Sequence, residues 1–592
     1  MKRNKNIILL FCLLVITSKL FGAYLEKVPQ TLKQPNGVTI NCFATGDEFY
    51  SWLYDANNYT IIQDSITGYY CYAIIQNNKL VASNYIVGVA DPATCGLSSG
   101  VNLSNQQIAN ITNTLLSRLP LRQRWLNSTI ALKATSLSVT RAINNIVVYI
   151  RFADDQNEFP SEQSKYSSYF NDAETGQVSM YNYFNEISYG QTNIQSTFYP
   201  NNNGTAIISY KDAHIRNYYR PYSVTNDSGY CEIYPCYTDR EYRENALVMN
   251  ALDYIKSQIP AFLNLDENMD GYVDNICFII KGSEDVWNKI LWPHAGMLAP
   301  YTNYSINSKF VRNYNFQFES NLDVEVLCHE MCHTLGAPDM YHYVNTFGML
   351  PIGTWDIMCL GGVTPVSTCI YTKNKYLGFV SDIPIITNSG HYTLQSITSS
   401  TNNCYKISSS NQNEFFVLEF RQKTGTFESN LPGTGLLIYR INNLISNGNS
   451  QGPPDEVYLY RPNGTAANND GNSYNANFNS TNGRSIFNST SNPNSFLSNG
   501  SIENFAIKNI TVTGNSVSFD VRLCTNTDVT ITNTSQLPEV TNAVNKVQTS
   551  GSVIVKSTDK ITFEAGQEIL LNSGFETQVG CQLDLNIINC GN

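Results

Sequence analysis

Histidine is scarce: six residues in a chain of 592. Charge is scarce too, at 14% of residues, with a net charge of −11. A chain this acidic offers no broad basic surface, which excludes nucleic acid or an anionic membrane as its main partner. Beyond the apolar run at residues 7–16, no stretch reaches 18 apolar residues, so no membrane-spanning helix is expected. Glutamate is missing altogether between Glu330 and Glu414. What is present is an ordinary globular complement, 42% hydrophobic, in a chain long enough for three or four domains.

The N-terminus reads as a secretory signal peptide over residues 1–23. Lys2, Arg3 and Lys5 precede the apolar run, and the small residues Gly22 and Ala23 follow it. The mature protein is therefore expected outside the cell, where disulfides are allowed. Of 15 cysteines, only Cys12 lies in that segment, leaving an even number, 15 − 1 = 14. Cys231 and Cys236 are close enough to close a small loop, and Cys581 with Cys590 or Cys524 could staple the tail.

The chemistry concentrates in one stretch, Cys328-His329-Glu330-Met331-Cys332-His333, followed by Gly336, Pro338 and Asp339. Histidines four apart on a helix project from one face and reach a single metal ion, with Glu330 beside them as general base. With six histidines, chance would produce this spacing on the order of once in several hundred such chains. Gly336 can end the helix in a left-handed conformation, and Pro338 prevents its resumption. Asp339 then returns toward the metal as third ligand, the metzincin pattern with aspartate in place of the commoner histidine. The competing geometry takes a glutamate from a later helix, and the glutamate gap removes it. A Met-turn is expected downstream, and Trp355-Asp356-Ile357-Met358 supplies it. Cys328 and Cys332 lie on a neighbouring stripe of the helix, suited to core packing or pairing rather than to metal.

His329 to Tyr341, read with Trp355 to Met358, resembles the immune inhibitor A family of secreted bacterial zinc metalloproteases. The family pattern has glycine at the position of Cys332 and aspartate at that of His342. The second departure leaves a spare imidazole near the site, as a rival to Asp339. The resemblance implies a propeptide before the catalytic unit and a β-rich domain after it.

Along the chain, residues 24–140 read as that propeptide, with alternating strands and a helix from Asn105 to Leu119. Phe43 to Asp47 is similar to the stretch by which astacin-type propeptides lay an aspartate on zinc, making Asp47 a candidate latency switch. Cys42 or Cys95 could serve by thiolate, and a plain hairpin turn is the alternative. The catalytic domain is assigned to 141–385. In it Asn145–Phe152 is the first strand, and Glu244–Ile259 is a backing helix with Leu247, Ala251, Tyr254 and Ile255 on one face. Asp266, Asn268, Asp270, Tyr272 and Asp274 have calcium-loop spacing, with Gly271 at position six but Cys277 at twelve; an acidic Asx-turn is the alternative. His294 stands at the cleft rim, Phe316–Ser320 is the expected edge strand for substrate, and Ser320 and Asp323 form a capping box. Residues 386–523 read as a β-sandwich with Asn/Ser/Gly-rich surface loops, one of them 447–454, and 524–592 as a small β module.

The sequence thus leads to an α+β metzincin-like catalytic domain, a mixed twisted sheet with a zinc-site helix, followed by all-β domains. The expected activity is a secreted zinc endopeptidase, with structural calcium, acting on proteins or peptides. An inactive adhesin or glycan-binding protein on the same fold, and a zinc hydrolase of glycopeptides, are the alternatives. Cell-surface or glycan contacts would fall to the C-terminal β domains.

Overall fold

A computed structural model describes residues 25–587 apart from 47–49, 65, 118–140, 203–205, 224–225, 232–238, 285–289, 299–303, 344–349, 361–363, 447, 467–470 and 524–526. The signal-peptide and Asp47 expectations therefore lie outside the described residues. The architecture is mixed α+β, with few helices, many sheets and a mostly β C-terminal part.

The N-terminal unit is a six-stranded antiparallel meander. Its strands are β1 (Leu25–Lys33), β2 (Thr39–Gly46), β3 (Ser51–Tyr54), β4 (Thr60–Gln63), β5 (Tyr70–Gln76) and β6 (Lys79–Ile86). A helix, Asn105–Ser117, follows. Cys42 packs in the core of this sheet, and burial pushes its thiol up to about 12. A thiol packed in this core is placed for packing and not for reaching a metal outside the sheet.

The central sheet has the order β11-β14-β10-β7-β8, with short β9 (Tyr210–Lys211) beside β7. Here β7 is Arg141–Arg151, β8 Thr192–Tyr199 and β10 Asn275–Ile280. These pair in parallel, and the near-continuous apolar runs of β7 and β10 suit strands buried on both faces. A two-strand hairpin, β12 (Ser305–Ile306) with β13 (Lys309–Phe310), precedes β14 (Asn313–Phe318). β14 is not the edge: it pairs with β10 on one side and with antiparallel β11 (His294–Met297) on the other. On this side of the sheet the edge strand is β11, half-exposed along its length, and β8 closes the other side. The backing helix runs Asp239–Ile255, with Leu247, Ala251 and Ile255 buried as expected but Tyr254 half-exposed, outside the apolar face.

Downstream, two antiparallel sheets form the expected β domain. One has the order β15 (Gly390–Gln395), β21 (Ser516–Leu523), β20 (Phe505–Thr513). The other runs β16 (Cys404–Ser408), β17 (Glu414–Arg421), β18 (Gly435–Asn442), β19 (Val457–Leu459). The two share a core that includes Leu394, Phe416, Ile438 and Phe519. The other face of the second sheet joins the core of the preceding unit: Val417, Leu437, Tyr439 and Val457 cluster with Cys328, Met331 and Trp355. One apolar core thus crosses the boundary drawn at residue 385.

The C-terminal module is a parallel β-solenoid. Its strands are β22 (Asp528–Ile531), β23 (Val540–Ala543), β24 (Lys546–Thr549), β25 (Val553–Val555), β26 (Lys560–Ala565), β27 (Glu568–Leu570), β28 (Phe575–Thr577) and β29 (Gln582–Ile587). They stack as β22-β24-β27, β23-β26-β29 and β25-β28, every pair parallel, around Val547, Val553, Ile561 and Phe563. Among the described residues, no helix is long and apolar enough to cross a membrane.

Candidate metal centre

The helix carrying the two histidines is Val324–Thr334, buried on all sides over its first ten residues. It is capped by Asp323, whose carboxylate accepts from the Glu325 N–H at 2.8 Å; Ser320 belongs to a preceding 3₁₀ turn, so the expected capping box is displaced by three residues. Its stripe of Val324, Cys328, Met331 and Leu335 enters the core as expected. The helix ends in a Schellman motif: the Ala337 N–H donates to Cys332 O and the Gly336 N–H to His333 O, both at 2.9 Å. Gly336 has φ +104°, a conformation a residue with a Cβ rarely adopts.

This helix end also sets the imidazoles. His333 Nδ1–H donates to Ala337 O at 2.9 Å, and His329 Nδ1–H donates to Ile357 O at 2.9 Å. With each ring proton committed to a carbonyl, both Nε2 atoms are left with lone pairs, and they face each other at 3.1 Å. Asp339 Oδ1 lies 3.3 Å from His329 Nε2 and 3.2 Å from His333 Nε2. Two unprotonated nitrogens and a carboxylate oxygen at this spacing repel one another unless a positive charge lies between them. Zinc–nitrogen bonds of 2.0–2.1 Å in a tetrahedron require ligand atoms about 3.3–3.4 Å apart, close to what is found. The donor set therefore fits zinc.

Without a metal, a proton supplies that positive charge. Burial alone lowers the His329 pKa, but Asp339 and Glu330 outweigh it and push it up to about 9. Asp339, despite a burial that favours its neutral form, is held well below the usual carboxylate range by His333 and His329. Its second oxygen, Oδ2, accepts from the Tyr343 hydroxyl. Glu330 is buried beside His329, and its Oε2 has no protein hydrogen-bond partner.

The Met358 segment lies against the site as a tight turn. Cys359 N–H donates to Asp356 O at 3.0 Å, and the Asp356 carboxylate accepts from Met358 N–H and Cys369 N–H, each at 2.8 Å. Met358 O accepts from Met340 N–H at 2.7 Å, next to Asp339, while Ile357 O holds His329. Met358 itself is fully buried in the core. His342, the rival third ligand, is turned away: its Nε2 lies 2.5 Å from Asp455 Oδ1. Cys328 and Cys332 are buried in the core and form no disulfide, and burial pushes the Cys328 thiol well above its ordinary range.

The other sequence candidates play different parts. In the acidic loop, Asp266 accepts from Asp270 N–H and Gly271 N–H at 2.9 and 3.0 Å, and from the Lys309 ammonium at 2.7 Å. Asn268 Oδ1 accepts from Asp270 N–H, Asp270 from Tyr272 N–H, and Asp274 from Glu267 N–H. These oxygens stabilise an Asx-turn, the alternative reading of the spacing. Among the described residues, His329, His333 and Asp339 form the single group of three His, Cys, Asp or Glu whose ligand atoms gather within 4.8 Å. His294 is structural: its ring nitrogens meet Trp292 O at 2.6 Å and Glu244 at 3.0 Å. Cys231 is disulfide-bonded, with Cys236 outside the described residues, whereas Cys581 and nine other described cysteines form no disulfide.

Sequence reasoning missed residues 448–456. Their Gly, Asn and Pro content reads as a surface loop, yet Asn449, Asp455 and Glu456 are buried against the bend that carries Asp339. Compared with known proteins, the chain matches no family model, and no curated protein is significantly similar to it.

Proposed function

We propose that the chain is a secreted zinc endopeptidase of metzincin type. The observation that carries this reading is the convergence of His329 Nε2, His333 Nε2 and Asp339 Oδ1 within hydrogen-bond distance of one another, beside a buried carboxylate. A zinc ion bound there would supply Lewis acidity toward a scissile carbonyl and toward water. The chain's own residues account for the rest. Glu330 is placed to take a proton from the attacking water at Oε2 and return it to the leaving amine. The carbonyls of Ala337 and Ile357 fix the tautomer of both imidazoles, and Tyr343 orients Asp339. The half-exposed edge strand β11 is where an extended peptide would add to the sheet, its main chain held by strand pairing.

Export by the N-terminal signal and latency through residues 24–140 belong to the same proposal. The test is casein cleavage by the processed protein. Cleavage should stop with a zinc chelator and return with added zinc; cleavage indifferent to the chelator would overturn the reading.

A further inference from the structure

We infer that the β18–β19 connection of the downstream β domain, residues 448–456, is a positioning element for the third ligand, Asp339. The inference rests on the zinc reading above and deepens it.

Asp339 follows a helix end, and a bend of this kind has no regular ladder to fix it. Its main chain is fixed from outside. Asn449 N–H donates to Asp339 O at 3.0 Å, and Asn449 Nδ2 donates to Met340 O at 3.1 Å. The same side chain is locked to its own strand, donating to Val457 O at 2.8 Å and accepting from Val457 N–H at 3.0 Å. Tyr343 N–H donates to Ser450 O at 3.1 Å, and this residue's hydroxyl holds Asp339 Oδ2. His342, between them, is gripped by Asp455. The loop thus holds the ligand segment at residues 339, 340, 342 and 343.

Two glycines permit this approach. A Cβ at Gly448 would overlap the Asp339 carbonyl oxygen, and one at Gly452 would overlap Asp455 Oδ1 and crowd His342. The loop is tied in turn to the segment after the Met358 turn. Glu456 accepts from Gly448 N–H at 2.7 Å, from Tyr371 at 2.9 Å and from Tyr376 at 2.6 and 2.7 Å. The metal site is therefore assembled from both domains, and the third ligand depends on the second.

The test uses the full-length protein stripped of metal and reloaded with zinc, with affinity read by chelator competition. Asn449→Ala and His342→Ala should each weaken zinc binding about 10- to 100-fold, the usual effect of losing a group that orients a ligand. His342→Gln, whose amide nitrogen can reach Asp455, should restore wild-type affinity, a rescue that general loosening would not give. If Asn449→Ala fails to fold, the His342 pair decides alone. Wild-type zinc affinity in both alanine variants would overturn the inference and leave the zinc reading intact. If the wild-type protein holds no zinc that His329→Ala abolishes, the zinc reading falls, and the inference with it.

Discussion

Replacing Glu330 by glutamine separates metal binding from chemistry. The side chain is buried, and its Oε2 makes no hydrogen bond within the protein, so the exchange breaks no contact of that oxygen with the fold. Zinc stoichiometry should stay at about one, because the three ligand atoms belong to His329, His333 and Asp339. Proton transfer is what the amide cannot do. A positioned general base contributes roughly 10²- to 10⁴-fold, so kcat should fall by that factor, equivalent to about 2.7–5.5 kcal/mol of activation free energy. The assay is cleavage of a quenched fluorescent peptide, with zinc measured on the same samples. A variant that holds zinc and keeps kcat within about tenfold of wild type would remove Glu330 from the mechanism.

Two further outcomes follow from buried charge. Arg421 is fully buried; it grips Glu428 at 2.6 and 2.8 Å, reaches Glu419 at 3.3 Å, and donates to Trp355 O at 2.7 Å, directly behind the Met358 turn. Arg421→Ala strands two buried carboxylates and should cost about 3–5 kcal/mol in urea unfolding; a loss below about 1 kcal/mol would show that the cluster is not a true ion pair. Asp274 is pushed up to about 7, first by burial and then by Asp266, Asp270 and Glu267. Its folded form holds a proton more tightly than the unfolded chain, so this stability is present below about pH 4 and lost as pH rises to about 7. Asp274→Asn should flatten urea stability across that window; an unchanged fall would refute the assignment. Millimolar calcium that raises the melting temperature of wild type at pH 8, but not of the variant, would restore a metal role for the loop.

The stretch from His329 to Asp339 was legible because its geometry is local. Helical periodicity places His329 and His333 on one face, and Gly336 with Pro338 sets the bend before Asp339, whatever the rest of the chain does. The sheet was less legible because strand order is not local. The stretch Phe316–Ser320 looked like an edge strand, yet burial of nearly all of β14 is what an interior strand requires, while the edge on that side fell to the short, weakly patterned β11. The acidic loop was ambiguous for a chemical reason: alternating Asp and Asn serve an Asx-turn as well as they serve calcium. Residues 448–456 misled because glycine marks both an exposed turn and a close approach of two backbones, and composition cannot separate them. The solenoid escaped notice because its coils share spacing rather than residues: Val547 stacks on Ile569, and Val553 on Phe575.

If the site holds zinc as proposed, charge explains why the third ligand is an aspartate. Both histidines would then be neutral, their Nδ1 protons being held by Ile357 O and Ala337 O. A divalent ion with Asp339 and Glu330 then sums to zero, +2 − 1 − 1, at a place where all four side chains are buried. A third histidine would leave that sum at +1, and a net charge in a low-dielectric site is costly to keep there. Asp339 also has a second oxygen to share. Its Oδ2 accepts from Tyr343 while Oδ1 faces the imidazoles, so one carboxylate completes the donor set and anchors it to the bend that the neighbouring domain holds. A neutral imidazole has one nitrogen for the metal and one proton to place. It could complete the donor set, but it would not bring the negative charge that balances the ion.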